Sequence, residues 1–211
     1  MHERVLKVAK EMLAKNLVSG TAGNVSGRLA DGNVVMTPSS MGYEEMTLED
    51  LCVVDLDGNK VEGKGDPSSE KALHLAQYRA YDEVGGVMHC HPIHGSMFAL
   101  THEPIPATIE EFVVYVGGEV PICEYKPAGS DELATEVASK LGERAAALMA
   151  NHGMVSVGAD PENALHVAEV VERCAHVIWG ARQMGSTVHE LPREVNDNFA
   201  GVYRFVRENR L

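Results

Sequence analysis

Long hydrophobic runs are missing from this 211-residue sequence. No stretch approaches the roughly 18 apolar residues that a membrane span needs. The opening MHERVLKVAK is amphipathic, where a secretory leader would be basic and then apolar. No membrane partner is expected, and the expected location is cytoplasmic. Cysteine is sparse too: Cys52, Cys90, Cys123 and Cys174 are scattered without CxxC spacing, which speaks against a disulfide framework and against a thiolate zinc site. Positive charge is also short. Only 18 Lys and Arg stand against 31 Asp and Glu, a formal net charge of -13, and a nucleic-acid backbone is held by clustered basic side chains. Nucleic acid is therefore not an expected partner. A small phosphorylated molecule still is, because one phosphate can be held by backbone N–H groups, hydroxyls and a metal. No internal repeat or linker-like stretch divides the chain, whose length and 45% hydrophobic content suit one buried core. A single α/β domain over residues 1–211 is expected.

What is present is a regular alternation of helical and extended patterns. Val5, Leu6, Val8, Ala9, Met12, Leu13 and Leu17 recur at helical spacing and Gly20 ends the run. GTAGNVSGRL follows, with Gly20, Gly23 and Gly27 among small polar residues; this is either a plain turn into a strand or a loop that lets backbone approach a ligand. Strands are expected at Val34–Thr37 and Leu51–Leu56, the second entering a hairpin turn at Asp57-Gly58. Asp66-Pro67 reads as the cap and first turn of a helix to about Tyr81. A strand at Gly86–His91 and a helix at Ile93–Leu100 come next. Phe112–Val116 reads as a strand preceded by the acids Glu110 and Glu111. A helix from Ser130 to Leu141, strands at Ala145–Ala150 and Met154–Val157, and a helix from Asp160 to Met184 with Ala164, Val167, Ala168, Val171, Ala175 and Ile178 inward complete the middle. A last helix, Arg193 to Val206, begins a C-terminal element spanning 193–211.

The chemistry concentrates in VMHCHPIHG. In an extended backbone alternate side chains share a face, so His89 and His91 aim at one point while Cys90 turns away. A divalent cation held at roughly 2.0–2.1 Å per nitrogen needs a further ligand from elsewhere, and a catalytic site leaves one position open. His152, before Gly153 and between two apolar runs, is the candidate. His94 follows Pro92, leaves the alternation, and is expected beside the site and not as a ligand. Glu70, one turn into a helix, would supply a base next to the metal, or is simply a solvated helix-start charge. Ser68 and Ser69 stand at the same helix start, where free N–H groups favour an anion. A metal, a carboxylate and an anion site close together suit proton abstraction next to the carbonyl of a phosphorylated substrate.

GTAGNVSGR, TPSS, the acid-rich hairpin, PSSE, HCHPIH and NHG, in that order, resemble the class II aldolase/adducin family from about Leu6 to Gly185. The resemblance implies a three-layer fold, a central and mostly antiparallel sheet flanked by helices. It also implies His89, His91 and His152 as zinc ligands, with manganese or cobalt as other ions that suit three imidazoles and a carboxylate. Glu70 would be both acid/base and fourth ligand of the resting metal, and Asn24, Ser39, Ser68 and Ser69 would hold phosphate. The implied reaction cleaves a ketose 1-phosphate such as L-fuculose 1-phosphate into dihydroxyacetone phosphate and an aldehyde such as L-lactaldehyde. The implied assembly is a homotetramer with active sites at subunit interfaces. Ser40 stands where the aldolases have a glycine beside the phosphate. Glu111 stands where they carry a catalytic tyrosine, with Tyr115 offset, and a glutamate there is similar to methylthioribulose-1-phosphate dehydratases. Tyr203 either matches the tyrosine that a neighbouring subunit contributes or is an ordinary helix-packing residue. The similar L-ribulose-5-phosphate 4-epimerases carry an aspartate and a threonine pattern where this chain has Ser68-Ser69-Glu70, which points to the aldolase branch. Sugar-acid phosphate decarboxylases and a metal-free, adducin-like interaction domain complete the alternatives.

Overall fold

Strands in this chain are built from residues that alternate between two apolar environments, which requires a sheet covered on both faces. The computed structural model describes residues 1–209. Its strands are β1 (Asn24–Arg28), β2 (Val34–Met36), β3 (Cys52–Val54), β4 (Lys60–Glu62), β5 (Gly86–Cys90), β6 (Ile122–Cys123), β7 (Ala146–Met149) and β8 (Gly153–Gly158). They form one sheet in the order β4-β3-β2-β1-β5-β8-β7-β6. The β6–β7 pair is parallel and the other pairings are antiparallel. Seven helices cover it: α1 (His2–Ala14), α2 (Lys71–Ala80), α3 (Ile93–Thr101), α4 (Glu110–Val116), α5 (Asp131–Leu141), α6 (Pro161–Gln183) and α7 (Arg193–Asn209). The expected single α/β domain with a mostly antiparallel sheet is the fold observed. Among the described residues no helix is long and apolar enough to cross a membrane.

The alternation sorts the core into two layers. Val34, Met36, Val54, Val87, Ala147, Met149, Val155 and Val157 pack with Leu73, Leu75 and Tyr78 of α2 and Leu133, Val137 and Leu141 of α5. Val35, Val53, Met88, Cys90, Leu148 and Met154 point the other way, onto α1, α3, α4, α6 and α7. Each fully buried aliphatic side chain contributes about 1.5–3 kcal/mol, so the two layers fix which face every strand residue takes. His89 shares the parity of Val87 and therefore faces α2.

Helix starts follow capping chemistry in two places. Ser130 Oγ accepts from the Leu133 N–H at 3.1 Å, and Asp160 accepts from the Asn163 N–H at 2.8 Å with Pro161 in the first turn. The six residues expected inward on α6 are all buried.

Two elements differ from expectation. The helix expected from Asp66 begins at Lys71, because Pro67 pairs with Pro38 and the Ser68 N–H is given to Thr37 O: this segment is zipped to the chain leaving β2 before it can coil. Phe112–Val116 is helical, not extended. Its buried residues Phe112, Val113 and Val116 follow helical spacing, Glu110 and Glu111 lie at the positive end of the helix, and Gly117 ends it with φ +91°. The C-terminal helix starts at Arg193 as expected; residues 210 and 211 of the expected 193–211 element lie outside the described residues.

Candidate active site

The histidine centre is assembled by three neighbouring strands. β5 carries His89 to the α2 face and ends at Cys90; His91 follows on the same side, and Pro92 stops the strand and precedes α3. β8 runs antiparallel beside β5 with Cys90 opposite Met154 and His89 opposite Val155, so the turn joining β7 to β8 delivers His152 next to the pair. Asn151 makes that turn in the left-handed region, φ +56°, a conformation asparagine tolerates better than most residues. Gly153 leaves room for the ring of His91: a Cβ there would lie 2.4 Å from His91 Cδ2 and 2.6 Å from Cys90 O.

Glu70, immediately before α2, reaches into the cluster. Its Oε2 lies 3.2 Å from His89 Nε2 and its Oε1 lies 3.4 Å from His152 Nε2, while His91 Nε2 and His89 Nε2 are 3.0 Å apart. A tetrahedron with arms of 2.0–2.1 Å has edges of about 3.3–3.4 Å, so these separations match four ligands around one zinc-sized ion. The donor set argues the same way. His89 Nδ1–H donates to Met154 O at 2.9 Å, leaving only a lone pair on a neutral Nε2, and that lone pair faces a carboxylate oxygen. Glu70 Oε1 is buried without a hydrogen-bond partner. A cation is what such a group of electron pairs lacks, and among the described residues His89, His91 and His152 are the cluster that could hold one.

Protonation states suit this role. Burial, then the charges of His89 and His152, holds His91 down to about 4 against a Glu70 contribution of opposite sign. Burial and His89 lower His152 as well. For Glu70, burial alone would push the carboxyl up; the His89 contact, the positive charge of His89 and His152, and the Asn24 amide outweigh it and bring the group to about 2. Burial thus holds His91 and His152 toward the neutral form that binds a metal, and the contacts of Glu70 hold it toward its ionised form.

The residues expected to hold phosphate divide into two groups. Ser39, Ser40 and Ser69 are exposed on two segments held together by the Ser39 N–H to Asp66 O and Ser68 N–H to Thr37 O hydrogen bonds, next to Glu70. Ser40 has φ +58°, a left-handed conformation that suits glycine far better. Ser68 is buried and its Oγ accepts from the Glu70 N–H at 3.2 Å. Asn24, opposite His89 in β1, is buried and donates from Nδ2 to Glu70 Oε2 at 3.1 Å. It therefore positions the carboxylate and keeps one amide hydrogen over.

Two expected proton donors are not brought to the histidines of their own chain. Glu111 is exposed on α4 and paired with Arg173 of α6 at 3.3 Å. Tyr203 is 8% exposed, its ring lies against Gly117 and its hydroxyl accepts from Arg207. It lines a cavity of about 140 Å³ with Val84 and Gly158, at the end of the sheet away from His89. His94 turns to Glu172, 2.7 Å away, and stacks on His176. Sequence reasoning missed His74, Ser26 and Tyr78, which continue the polar contacts of Glu70 and Asn24 into the core. The available signal was a histidine among the buried residues of α2, four positions after Glu70.

Residues 3–179 match the family described as Class II Aldolase and Adducin N-terminal domain. The chain is 37% identical to an L-fuculose phosphate aldolase of Haemophilus influenzae, over 91% of this chain and 87% of the relative. It is 34% identical to an L-ribulose-5-phosphate 4-epimerase of Salmonella paratyphi B, over 90% of this chain and 89% of the relative. A solved L-fuculose 1-phosphate aldolase superposes with a TM-score of 0.91 at 32% identity, covering 97% of this chain and 96% of that one. The fold, the ordered motifs and the histidine centre agree with these matches: the chain belongs to the class II aldolase and adducin family.

Proposed function

We propose that this protein is a zinc-dependent aldolase that reversibly cleaves a ketose 1-phosphate, L-fuculose 1-phosphate or a close analogue, into dihydroxyacetone phosphate and a short aldehyde such as L-lactaldehyde. The observation that carries the reading is the placement of Glu70, an ionised carboxylate spanning His89 and His152 with one oxygen unpartnered. A divalent cation held by His89, His91 and His152 would act as a Lewis acid toward the substrate's carbonyl and hydroxyl oxygens. Glu70, which would cap the resting cation, would be free to act as a base once substrate is bound. In synthesis Glu70 would take the proton from the carbon of dihydroxyacetone phosphate that forms the new bond, while the aldehyde oxygen gains one as it becomes a hydroxyl. In cleavage the proton that leaves this hydroxyl as the aldehyde carbonyl forms would balance the one that Glu70, protonated for that direction, returns to the carbon left with the electron pair. Ser39, Ser40, Ser68 and Ser69, with the spare Asn24 amide hydrogen, would hold the phosphate.

The proposed assembly is a homotetramer with active sites at subunit interfaces. Glu111, exposed on α4, would then serve the aldehyde oxygen in a neighbour's site. Tyr203 would have to leave its packing against Gly117 to do so. The proposed compartment is the cytoplasm.

The test is a coupled assay for dihydroxyacetone phosphate release from L-fuculose 1-phosphate, 5-deoxyribulose 1-phosphate and related ketose 1-phosphates. Release with zinc, and a loss of about 10²–10⁴ in kcat for Glu70→Gln with metal retained, is the expected result. No release from any of them by zinc-loaded protein would refute the aldolase reading. Turnover of L-ribulose 5-phosphate instead would establish the epimerase alternative, which the Salmonella relative supports.

A further inference from the structure

Behind the carboxylate of Glu70 runs a line of buried polar side chains of which the proposed reaction uses only the first, Asn24. Asn24, Ser26, His74 and Tyr78 are each at most 4% exposed. Asn24 Nδ2 contacts Glu70 Oε2 at 3.1 Å; Asn24 Oδ1 contacts His74 Nε2; His74 Nδ1 lies 2.6 Å from Ser26 Oγ; and Ser26 Oγ lies 2.8 Å from the Tyr78 hydroxyl. Two periodicities interlock here. Glu70, at the cap of α2, and His74 and Tyr78 within it recur every fourth residue, while Asn24 and Ser26 are alternate residues of β1. Four helical residues rise about 6.0 Å and two strand residues about 6.6–6.8 Å, so the two rows stay in step. A buried polar chain is costly unless every member is satisfied, and this one is satisfied link by link.

The direction of every proton follows from chemistry. Asn24 Nδ2 donates to Glu70 Oε2, which turns the Asn24 carbonyl oxygen to His74. A carbonyl cannot donate, so His74 carries its proton on Nε2 and leaves Nδ1 as an acceptor. Ser26 then spends its only proton on Nδ1, and Tyr78 must donate to Ser26. Burial holds His74 down to about 3, so the ring does not leave the neutral form near neutral pH.

We infer that His74 is a positioning residue: through the Asn24 amide it fixes which oxygen of Glu70 is tied down and which is left for the metal. Ser26 and Tyr78 in turn fix the tautomer of His74. Removing His74 would free the Asn24 amide to flip, which would bring a carbonyl oxygen against a carboxylate. The inference rests on the proposed reading only for the use made of Glu70.

The test reads cobalt(II) affinity and the visible cobalt spectrum, together with imidazole ¹⁵N shifts of the metal-free protein. Wild-type His74 is expected as the Nε2–H tautomer throughout the neutral pH range. His74→Leu is expected to weaken cobalt binding about 10- to 100-fold and to change the spectrum. His74→Gln, which restores a donor, is expected to recover most of that loss. In an Asn24→Ala background the effect of His74→Leu should disappear, because the intermediary is gone. Additive effects of the two substitutions, or a Nδ1–H tautomer, would overturn the inference. Should His74→Leu not fold, the wild-type tautomer and cobalt binding by Ser26→Ala, expected to weaken in the same sense, still decide it; unchanged binding by Ser26→Ala would overturn it. None of these readouts needs a substrate. A protein that cleaves no ketose phosphate but shows the coupling refutes the reaction and upholds the positioning role; the converse result refutes only the latter.

Discussion

Replacing Gly153 by alanine tests whether backbone clearance builds the metal centre. Gly153 does not have a positive φ, so the added methyl acts through contact alone. It would stand 2.4 Å from His91 Cδ2, 2.6 Å from Cys90 O and 3.3 Å from His91 Nε2. Carbon atoms rest at about 3.5–4.0 Å, so the ring contact is short by more than about 1 Å. β8 cannot easily back away, because Met149 and Cys90, Met154 tie its start to β7 and β5. The imidazole of His91 has to move, by a distance comparable with half a metal–nitrogen bond. Overpacking of this kind costs about 1–3 kcal/mol of stability, and a displaced ligand should cost on the order of 10- to 100-fold in metal affinity, about 1.4–2.8 kcal/mol. Cobalt titration gives the affinity, and urea unfolding in chelator gives the stability of the metal-free protein. Wild-type affinity combined with a stability change under about 0.5 kcal/mol would refute the argument, since surface-like tolerance is not compatible with those distances.

Gly180→Ala is the matching control: this helical glycine in α6 has nothing within 4 Å of an added Cβ, so stability should rise by up to about 1 kcal/mol with metal affinity unchanged, as thermal unfolding and cobalt titration will show. Ser40→Gly relieves a left-handed serine while enlarging the unfolded ensemble, and should leave stability level or raised by up to about 1 kcal/mol in urea unfolding; a loss of more than that would mean the φ of +58° is not strained. The metal-free protein should weaken as pH falls below 6.5. His74 has an ordinary value of 6.5 in the unfolded chain and about 3 in the folded one, so between those values only the unfolded chain takes the proton. That stability is complete above 6.5 and declines below it, by about 2 kcal/mol from pH 7 to pH 5 for this fully buried ring. His91 and His152 act in the same direction, whereas Glu70, lowered from 4.5 to about 2, contributes its loss only at lower pH. Denaturation at the two pH values with and without His74→Gln measures the share of His74.

Period-two reasoning was sufficient to place His89 and His91 together, because strand parity is local and the two apolar layers enforce it. His152 was legible as the candidate third ligand from its place before Gly153 and from the NHG motif, but its arrival beside the pair depends on the pairing of β5 with β8, which nothing near residue 152 specifies. Asp66-Pro67 misled because a good helix start was already committed to a bridge with Pro38, a contact between distant segments. Phe112–Val116 misled because β-branched residues favour strands, although the acids before it and Gly117 after it are helix-end signals. His74 and Ser26 were invisible as a pair for a related reason: one belongs to a period of four and the other to a period of two, and they meet only once α2 lies across β1.

β5, which carries His89 and leads directly into His91, is hydrogen-bonded to β1 on one side and β8 on the other and buried along its whole length. Its amides should therefore be among the slowest to exchange with deuterated water, opening only when the whole domain unfolds. The ligand backbone then holds its shape whether or not an ion is present. Metal uptake would be the filling of a finished socket, limited by ion delivery and dehydration and not by rearrangement of the chain.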